Sequence, residues 1–223
     1  MAPRSNKFPP LKTEIRSWPH NPELSSDQIL LLDIFLDELM EWNRKMNLSG
    51  LSSRREIIDQ LLMDSMMPCP FLPEEGSLLD IGSGAGFPAI PLKICRPRLK
   101  TLLIEPNSKK VGFLKHIIRI TKLHEIGVIR GRIQDLEHTL HPEGYEAITS
   151  RGLARLPQFL AWCTPYLKPG GLMVAFQGSR HKETLRECAD IIKKERLFPF
   201  KSIPYSPQGK KSSRNILILK KHG

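Results

Sequence analysis

The stretch LLDIGSGAGFPAIPL, residues 78 to 92, constrains the fold of this chain more than any other. An apolar run closes on Asp80, and Gly82, Gly84 and Gly86 follow at alternate positions before a second apolar run opens. Glycines between a strand and a helix let the backbone turn tightly and approach a ligand closely. From Gly76 onward, strand-like runs (SLLDI, TLLIE, IGVIR, YEAITS, GLMVAFQ) alternate with segments of helical periodicity. Such alternation predicts an α/β fold, a mostly parallel sheet with helices on both faces. The tail breaks the rhythm: KSIPYS and RNILILKK, joined by SPQGKKSS with no helix between, are expected to pair as an antiparallel hairpin.

Ahead of Gly76 the texture is helical. Apolar residues recur at helical spacing through SSDQILLLDIFLDELMEWNRKMNL (25–48), with Ser26 as the expected N-cap, and a second helix is expected from Arg54 to about Met67, ended by Pro68 and Pro70. The expected organisation is a flexible basic arm over 1–24, a helical extension over 25–72 and an α/β domain over 73–223. The formal charge of +11 favours a polyanionic partner. Candidate phosphate contacts are the arm (Arg4, Lys7, Lys12, Arg16), Arg54–Arg55, Lys109–Lys110 and the hairpin tip Lys210–Lys211. Cys69, Cys95, Cys163 and Cys188 show no paired spacing, so reduced thiols are expected. No apolar run approaches the ~20 residues that span a bilayer, and the N-terminus lacks an apolar signal core. The expectation is a cytoplasmic protein with no membrane contact. His138 and His141 read as loop residues, and Trp42 and Trp162 as core.

The glycine spacing is G-x-G-x-G, one residue short of the dinucleotide fingerprint, and no Gly-Lys-Ser/Thr follows to make a P-loop. Glu105 ends the second strand-like run, where an acid can accept both hydroxyls of a ribose, whether of NAD or of S-adenosylmethionine. It equally suits a helix start at Ser108. In RGRIQDL, Gln134 and Asp135 could reach an adenine edge, and Ile133 offers its backbone and an apolar wall. LPQFLAWCTPYLKPGGLMVAF (156–176), a helix, Leu-Lys-Pro-Gly-Gly and a strand, resembles the element before the fifth strand of class I methyltransferases. Those four features in order favour S-adenosylmethionine.

Beyond these, EWNRKMNLS (41–49), the MDS of 63–65, DIGSGAGFPAIPL, LIEPNSKKVGFLK, GRIQD, TSRGLA and RNILILKK together resemble the RsmG (GidB) family, from about residue 28 to the C-terminus. The resemblance implies a Rossmann-like class I S-adenosylmethionine-dependent methyltransferase: a mostly parallel seven-stranded sheet with an antiparallel C-terminal strand, preceded by N-terminal helices. It implies methyl transfer to guanine N7 in 16S rRNA of the small ribosomal subunit, by a monomer without a metal. Carried to matching positions, it makes Gly82, Phe87, Ile133, Gln134 and Arg151 cofactor contacts, beside Gly84 and Glu105 from the reading of the loop and strand themselves, and names no catalytic base. It gives no role to Asn43, Asn47 or Asp64. Leu61 and Gln177, where the family usually carries histidine and lysine, are expected near the mouth of the site. The alternatives are a methyltransferase on another RNA or small molecule, and a non-catalytic RNA-binding protein of the same fold.

Overall fold

The structure, a computed structural model, describes residue 11, residues 23–206 and residues 214–223. Arg4, Lys7, Lys12 and Arg16 of the expected arm, and Lys210 and Lys211 of the expected hairpin tip, lie outside the described residues. Leu11 is fully buried, and its N–H donates to Asp33 Oδ1 at 3.4 Å, which anchors the arm at that point.

Helix α1 (Ser26–Met46) is capped by Ser25, one residue earlier than expected. Ser25 Oγ accepts from the Gln28 N–H at 3.2 Å and Gln28 Oε1 accepts from the Ser25 N–H at 2.9 Å, a reciprocal pair that satisfies two donors of the first turn. The helix buries one stripe, Leu32, Phe35, Leu36, Leu39 and Met40. Helix α2 follows as an α-helical turn (Arg54–Ile57), a π-helical turn (Ile58–Leu62) and a second α-helical turn (Met63–Met66). Arg54 corrects an expectation: it is 6% exposed and paired with Asp33 at 2.5 Å and Asp37 at 3.4 Å, so it staples α2 to α1 and cannot serve RNA. Its neighbour Arg55 is exposed and pairs with Asp59 at 2.7 Å.

The α/β unit runs β1 (Glu75–Ile81), α3 (Ala89–Cys95), β2 (Arg98–Glu105), α4 (Ser108–Thr121), β3 (Ile126–Arg130), β4 (Tyr145–Arg151), α5 (Leu156–Cys163), β5 (Leu167–Gln177), α6 (His181–Glu187), α7 (Ala189–Lys194), β6 (Leu197–Tyr205) and β7 (Arg214–Lys221). These strands form one seven-stranded sheet in the order β3-β2-β1-β4-β5-β7-β6. β1 to β5 are parallel, and β7 runs antiparallel to both β5 and β6, as the tail sequence led us to expect. Strand alternation divides the apolar side chains between two cores. Leu78, Val174, Ile216 and Ile218 enter the core under α1 to α4, while Leu79, Met173, Ala175, Leu217 and Leu219 enter the core that packs α5. Phe35 of α1 is the hinge-pin of the first core, with its ring 5.0 Å from Phe87 and 6.3 Å from Phe113.

The cysteine expectation is also corrected. Cys69, in a 3-10 turn after α2, is bonded to Cys95 at the end of α3, with S–S 2.03 Å. The 26 residues between them carry no spacing signature, because packing of α2 against α3 is what brings them together. Cys163 and Cys188 are free and buried.

Candidate active site

The order β3-β2-β1-β4-β5 reverses direction between β1 and β4. In open α/β sheets the crevice outside the carboxyl ends of the strands, at that reversal, is where ligands bind. A cleft of about 390 Å³ lies there. Its floor is the glycine turn (Gly82, Ser83, Gly84, Ala85, Phe87), and its walls are Glu105, Pro106 and Lys110 on one side and Arg151, Gly152 and Leu153 on the other. Leu48, Ser49 and Leu61 of the helical extension complete it.

The turn is held from below. The N–H groups of Gly82 and Ser83 both donate to Ile104 O, at 2.9 and 3.1 Å. Gly82 has φ +73°, and a Cβ there would meet Leu153 Cδ1 at 2.8 Å. Gly86 has φ +93°, and its Cβ would meet Ile90 Cγ1 at 2.8 Å. A side chain at either position would thus strain the backbone and collide with the layer packed on the turn. Phe87 is 5% exposed; it lines the cleft while resting on Phe35, so α1 supports the floor.

Glu105, 5% exposed, stands at the wall. Its Oε2 accepts from the Gly84 N–H at 2.8 Å and its Oε1 from the Asn107 N–H at 2.9 Å. Each oxygen spends one lone pair on the protein and keeps another for a ligand hydroxyl. The cap of α4 is Asn107, whose Oδ1 accepts from Lys109 and Lys110, so the helix-start role considered for Glu105 falls to its neighbour. Asp80 is fully buried beneath the turn and accepts from Thr149 Oγ1 at 2.5 Å, with Oδ2 unpartnered among the described residues. Burial pushes its carboxyl up to about 6, against the hydroxyls of Ser83 and Thr149, and the charge of Glu105 adds to the rise. Two carboxyl groups beside one turn favour a ligand that carries positive charge. A ribose for Glu105, a cation near the carboxylates and close backbone approach at Gly82 all fit a sulfonium nucleoside.

Ile133 and Gln134 are not among the cleft walls. They sit in a 3-10 turn just past β3, whose last residue Arg130 pairs with Glu105. Gln134 is exposed, and the Ile133 side chain is turned into the second core, which leaves its backbone to offer a ligand. Leu61 lines the cleft, as expected. Gln177 instead lines a separate groove of about 260 Å³ with Arg155 and Arg180. His138 and His141 border a groove with Gly76 and Ser77, at the amino ends of the strands, remote from the cleft.

The asparagines of the helical extension gain a role. Asn43 Oδ1 accepts from the Ser49 N–H at 2.9 Å while its amide donates to Leu51 O. Asn47, with φ 46°, accepts from the Gly50 N–H at 3.1 Å through Oδ1. Together they fold the loop that presents Leu48 and Ser49 to the cleft.

Sequence reasoning missed a cluster at the cleft edge. The Asp64 carboxylate, 0% exposed, accepts from Arg151 Nη2 at 3.0 Å, from the Tyr205 hydroxyl at 2.9 Å and from Arg214 Nη1 at 3.4 Å, all at Oδ2. Arg151 and Arg214 also donate to Gln60 O, at 2.6 and 3.3 Å. The sequence marked Asp64 through the MDS motif and Arg151 through TSRGLA, but not their pairing; the partners of Asp64 lie 87 to 150 residues away.

Comparison with known proteins gives three findings. The family model GidB, described as rRNA small subunit methyltransferase G, matches residues 28–211. The chain is 39% identical over 168 residues to "Ribosomal RNA small subunit methyltransferase G" of Desulfitobacterium hafniense, covering 75% of this chain and 70% of that one. It is 34% identical over 206 residues to the protein of that name from Acetivibrio thermocellus, covering 89% and 82%. Among solved structures, a putative O-methyltransferase from Klebsiella pneumoniae aligns with TM-score 0.60 at 16% identity, over 94% of this chain and 100% of that one. The tRNA methyltransferase TrmK of B. subtilis aligns with TM-score 0.57 at 17% identity, over 73% and 65%.

Proposed function

We propose, from the premise that this chain belongs to the GidB family of rRNA small subunit methyltransferase G, that it transfers a methyl group from S-adenosylmethionine to N7 of one guanine in 16S rRNA. The observation that carries this reading is the cleft itself: the glycine turn, Glu105 and Arg151 meet at the sheet's reversal point, within the span the family covers.

When bound, S-adenosylmethionine would supply an electrophilic methyl on a sulfonium, which guanine N7 would take with its own lone pair while the departing sulfur kept the electrons of the broken bond. No proton moves, so no general base is needed, and the reading includes a monomer that works without a metal. The chain's task is orientation and field. Gly82 and Gly84 let the backbone reach the cofactor, Phe87 gives it an apolar floor, and Glu105 takes its ribose hydroxyls. Gln134 and the backbone of Ile133 meet the adenine edge from the turn beyond β3. Arg151 presents a guanidinium, which suits it to holding an anionic group and not to acting as a base. The arm, the helical extension and the α/β unit are read as three parts, with the extension closing the cleft through Leu48, Ser49 and Leu61. Among the described residues, no helix is long and apolar enough to cross a membrane. A ribosomal RNA substrate supports a cytoplasmic location.

The test is methyl transfer from labelled S-adenosylmethionine to unmethylated small subunits, followed by cleavage selective for N7-methylguanine. Label at a single guanine is the expected result. Label on another atom or another RNA would move the reading to a different acceptor, and cofactor binding without transfer would leave a binding protein.

A further inference from the structure

A wholly buried carboxylate that holds two arginines at the edge of a ligand cleft is an expensive arrangement, and the fold goes to some length to keep it. The π-helical turn Ile58–Leu62 and the α-helical turn Met63–Met66 after it bring Gln60 O and Asp64 to Arg151 from the helical extension. Arg151 arrives from the end of β4, and Tyr205 and Arg214 from the ends of β6 and β7. Three parts of the chain therefore converge on one oxygen, Asp64 Oδ2, while Oδ1 is buried and without a partner among the described residues. Burying an ion costs several kcal/mol unless close partners offset it, and partners of opposite charge are what Asp64 has.

We propose that Asp64 is a positioning residue: its carboxylate, with Gln60 O, aligns the guanidinium of Arg151, which lines the cleft, with that of Arg214 behind it as a paired grip for an oxyanion at the cleft's rim. The two arginines share the same two acceptors, so their orientations are coupled. Two guanidiniums on one carboxylate leave an excess of one positive charge. Both side chains retain solvent access, 19% for Arg151 and 25% for Arg214, although Asp64 has none. The excess charge therefore faces outward and the compensating charge does not. A guanidinium fork matches a phosphate or a carboxylate geometrically. Two oxyanions come to this cleft if the proposed function holds, a phosphate of the RNA strand and the methionine carboxylate of the cofactor.

Asp64→Asn keeps the shape and removes the charge that holds the fork, leaving two guanidiniums that repel each other. With wild-type protein as reference, the Michaelis constants for small subunits and for S-adenosylmethionine are measured separately, with the melting temperature recorded alongside. The expected result is a rise of about tenfold or more in one constant with the other nearly unchanged. A rise for subunits identifies the phosphate, and a rise for the cofactor identifies its carboxylate. Burial raises the Asp64 carboxyl above the usual range even with Arg151, Arg214 and Tyr205 facing it. The ratio of wild-type to Asp64→Asn activity is therefore expected to shrink toward one as pH falls and Asp64 takes a proton; a purely structural staple would lower the melting temperature in parallel, whereas the grip raises one Michaelis constant with the melting temperature held. Should Asp64→Asn fail to fold, Arg214→Lys at the quarter-exposed partner keeps the charge and loses the fork, and one of the two constants is again expected to rise alone. Unchanged constants, or tighter binding of both ligands, would overturn the proposal. Absence of methyl transfer by the wild type would overturn the function on which it rests instead.

Discussion

Glu105 joins the first two loops of the α/β unit. One carboxylate oxygen fixes the Gly84 N–H and the other the Asn107 N–H, so the acid proposed to take a ribose also sets the distance between the glycine turn and α4. Glu105→Gln puts an amide donor against one of those N–H donors. A charge-assisted hydrogen bond is worth roughly 1.5–3 kcal/mol, so the Michaelis constant for S-adenosylmethionine is expected to rise about ten- to a hundredfold while that for RNA stays put; equal loss in both constants would make Glu105 a scaffold residue alone. Asp80 makes a different statement. Its folded-state carboxyl lies near 6, above the unfolded value, so the native state holds the extra proton between those two values and stability gained from it is lost as pH rises through about 6. Wild type is thus expected to gain stability relative to Asp80→Asn, by about 2–3 kcal/mol, as pH drops from 7.5 to 4.5. Urea midpoints for both proteins at the two pH values decide it, and a pH-independent difference would mean Asp80 titrates normally. Because a bound cation draws the same carboxyl back down, cofactor affinity is expected to weaken below about pH 6 in wild type and not in the variant.

At the scale of elements, the sheet was legible because it rests on local pattern. Strand-like runs alternating with helical segments dictated the parallel part, and the missing helix between KSIPYS and RNILILKK an antiparallel pair. The glycine turn and Glu105 were legible for the same reason, since a strand, a turn and a helix are contiguous in sequence. Arg54, the π-helical turn and the Cys69–Cys95 pair were not, because each answers to partners supplied by another element: Asp33 and Asp37 for the first, the Arg151–Arg214 cluster for the second, α3 for the third. The disulfide ties the end of the helical extension to the helix that follows the glycine turn. Closing a loop across a separation of 26 residues removes unfolded-state entropy worth about 3–4 kcal/mol. Reductant is expected to lower the urea midpoint of wild type by that equivalent and to leave Cys69→Ser unaffected. Equal midpoints with and without reductant would show that packing of α2 on α3 alone holds the pair together.

The whole molecule carries 34 Lys and Arg against 23 Asp and Glu, and the described structure decides which of them a strand of RNA can reach. Arg54 is withdrawn into the helical extension, and Lys93 is buried with its Nζ donating to Pro97 O and Leu99 O at 2.8 and 2.5 Å. Lys109, Arg155 and Arg180 remain exposed around the carboxyl end of the sheet, the first at the start of α4 beside the cleft and the other two on the groove that holds Gln177. A guanine at Arg151 would bring its flanking phosphates toward this rim. Phosphate contacts release counterions, so each one steepens the fall of affinity with salt. Replacing Lys109, Arg155 and Arg180 by alanine, singly, is therefore expected to weaken binding of the small subunit and to lower the slope of log affinity against log salt by about one per contact removed. The constant for S-adenosylmethionine should not follow, since none of the three lines the cleft. A slope unchanged in all three variants would place the RNA on another face, and the excess charge at the Asp64 cluster would then have the cofactor's carboxylate as its remaining counterpart.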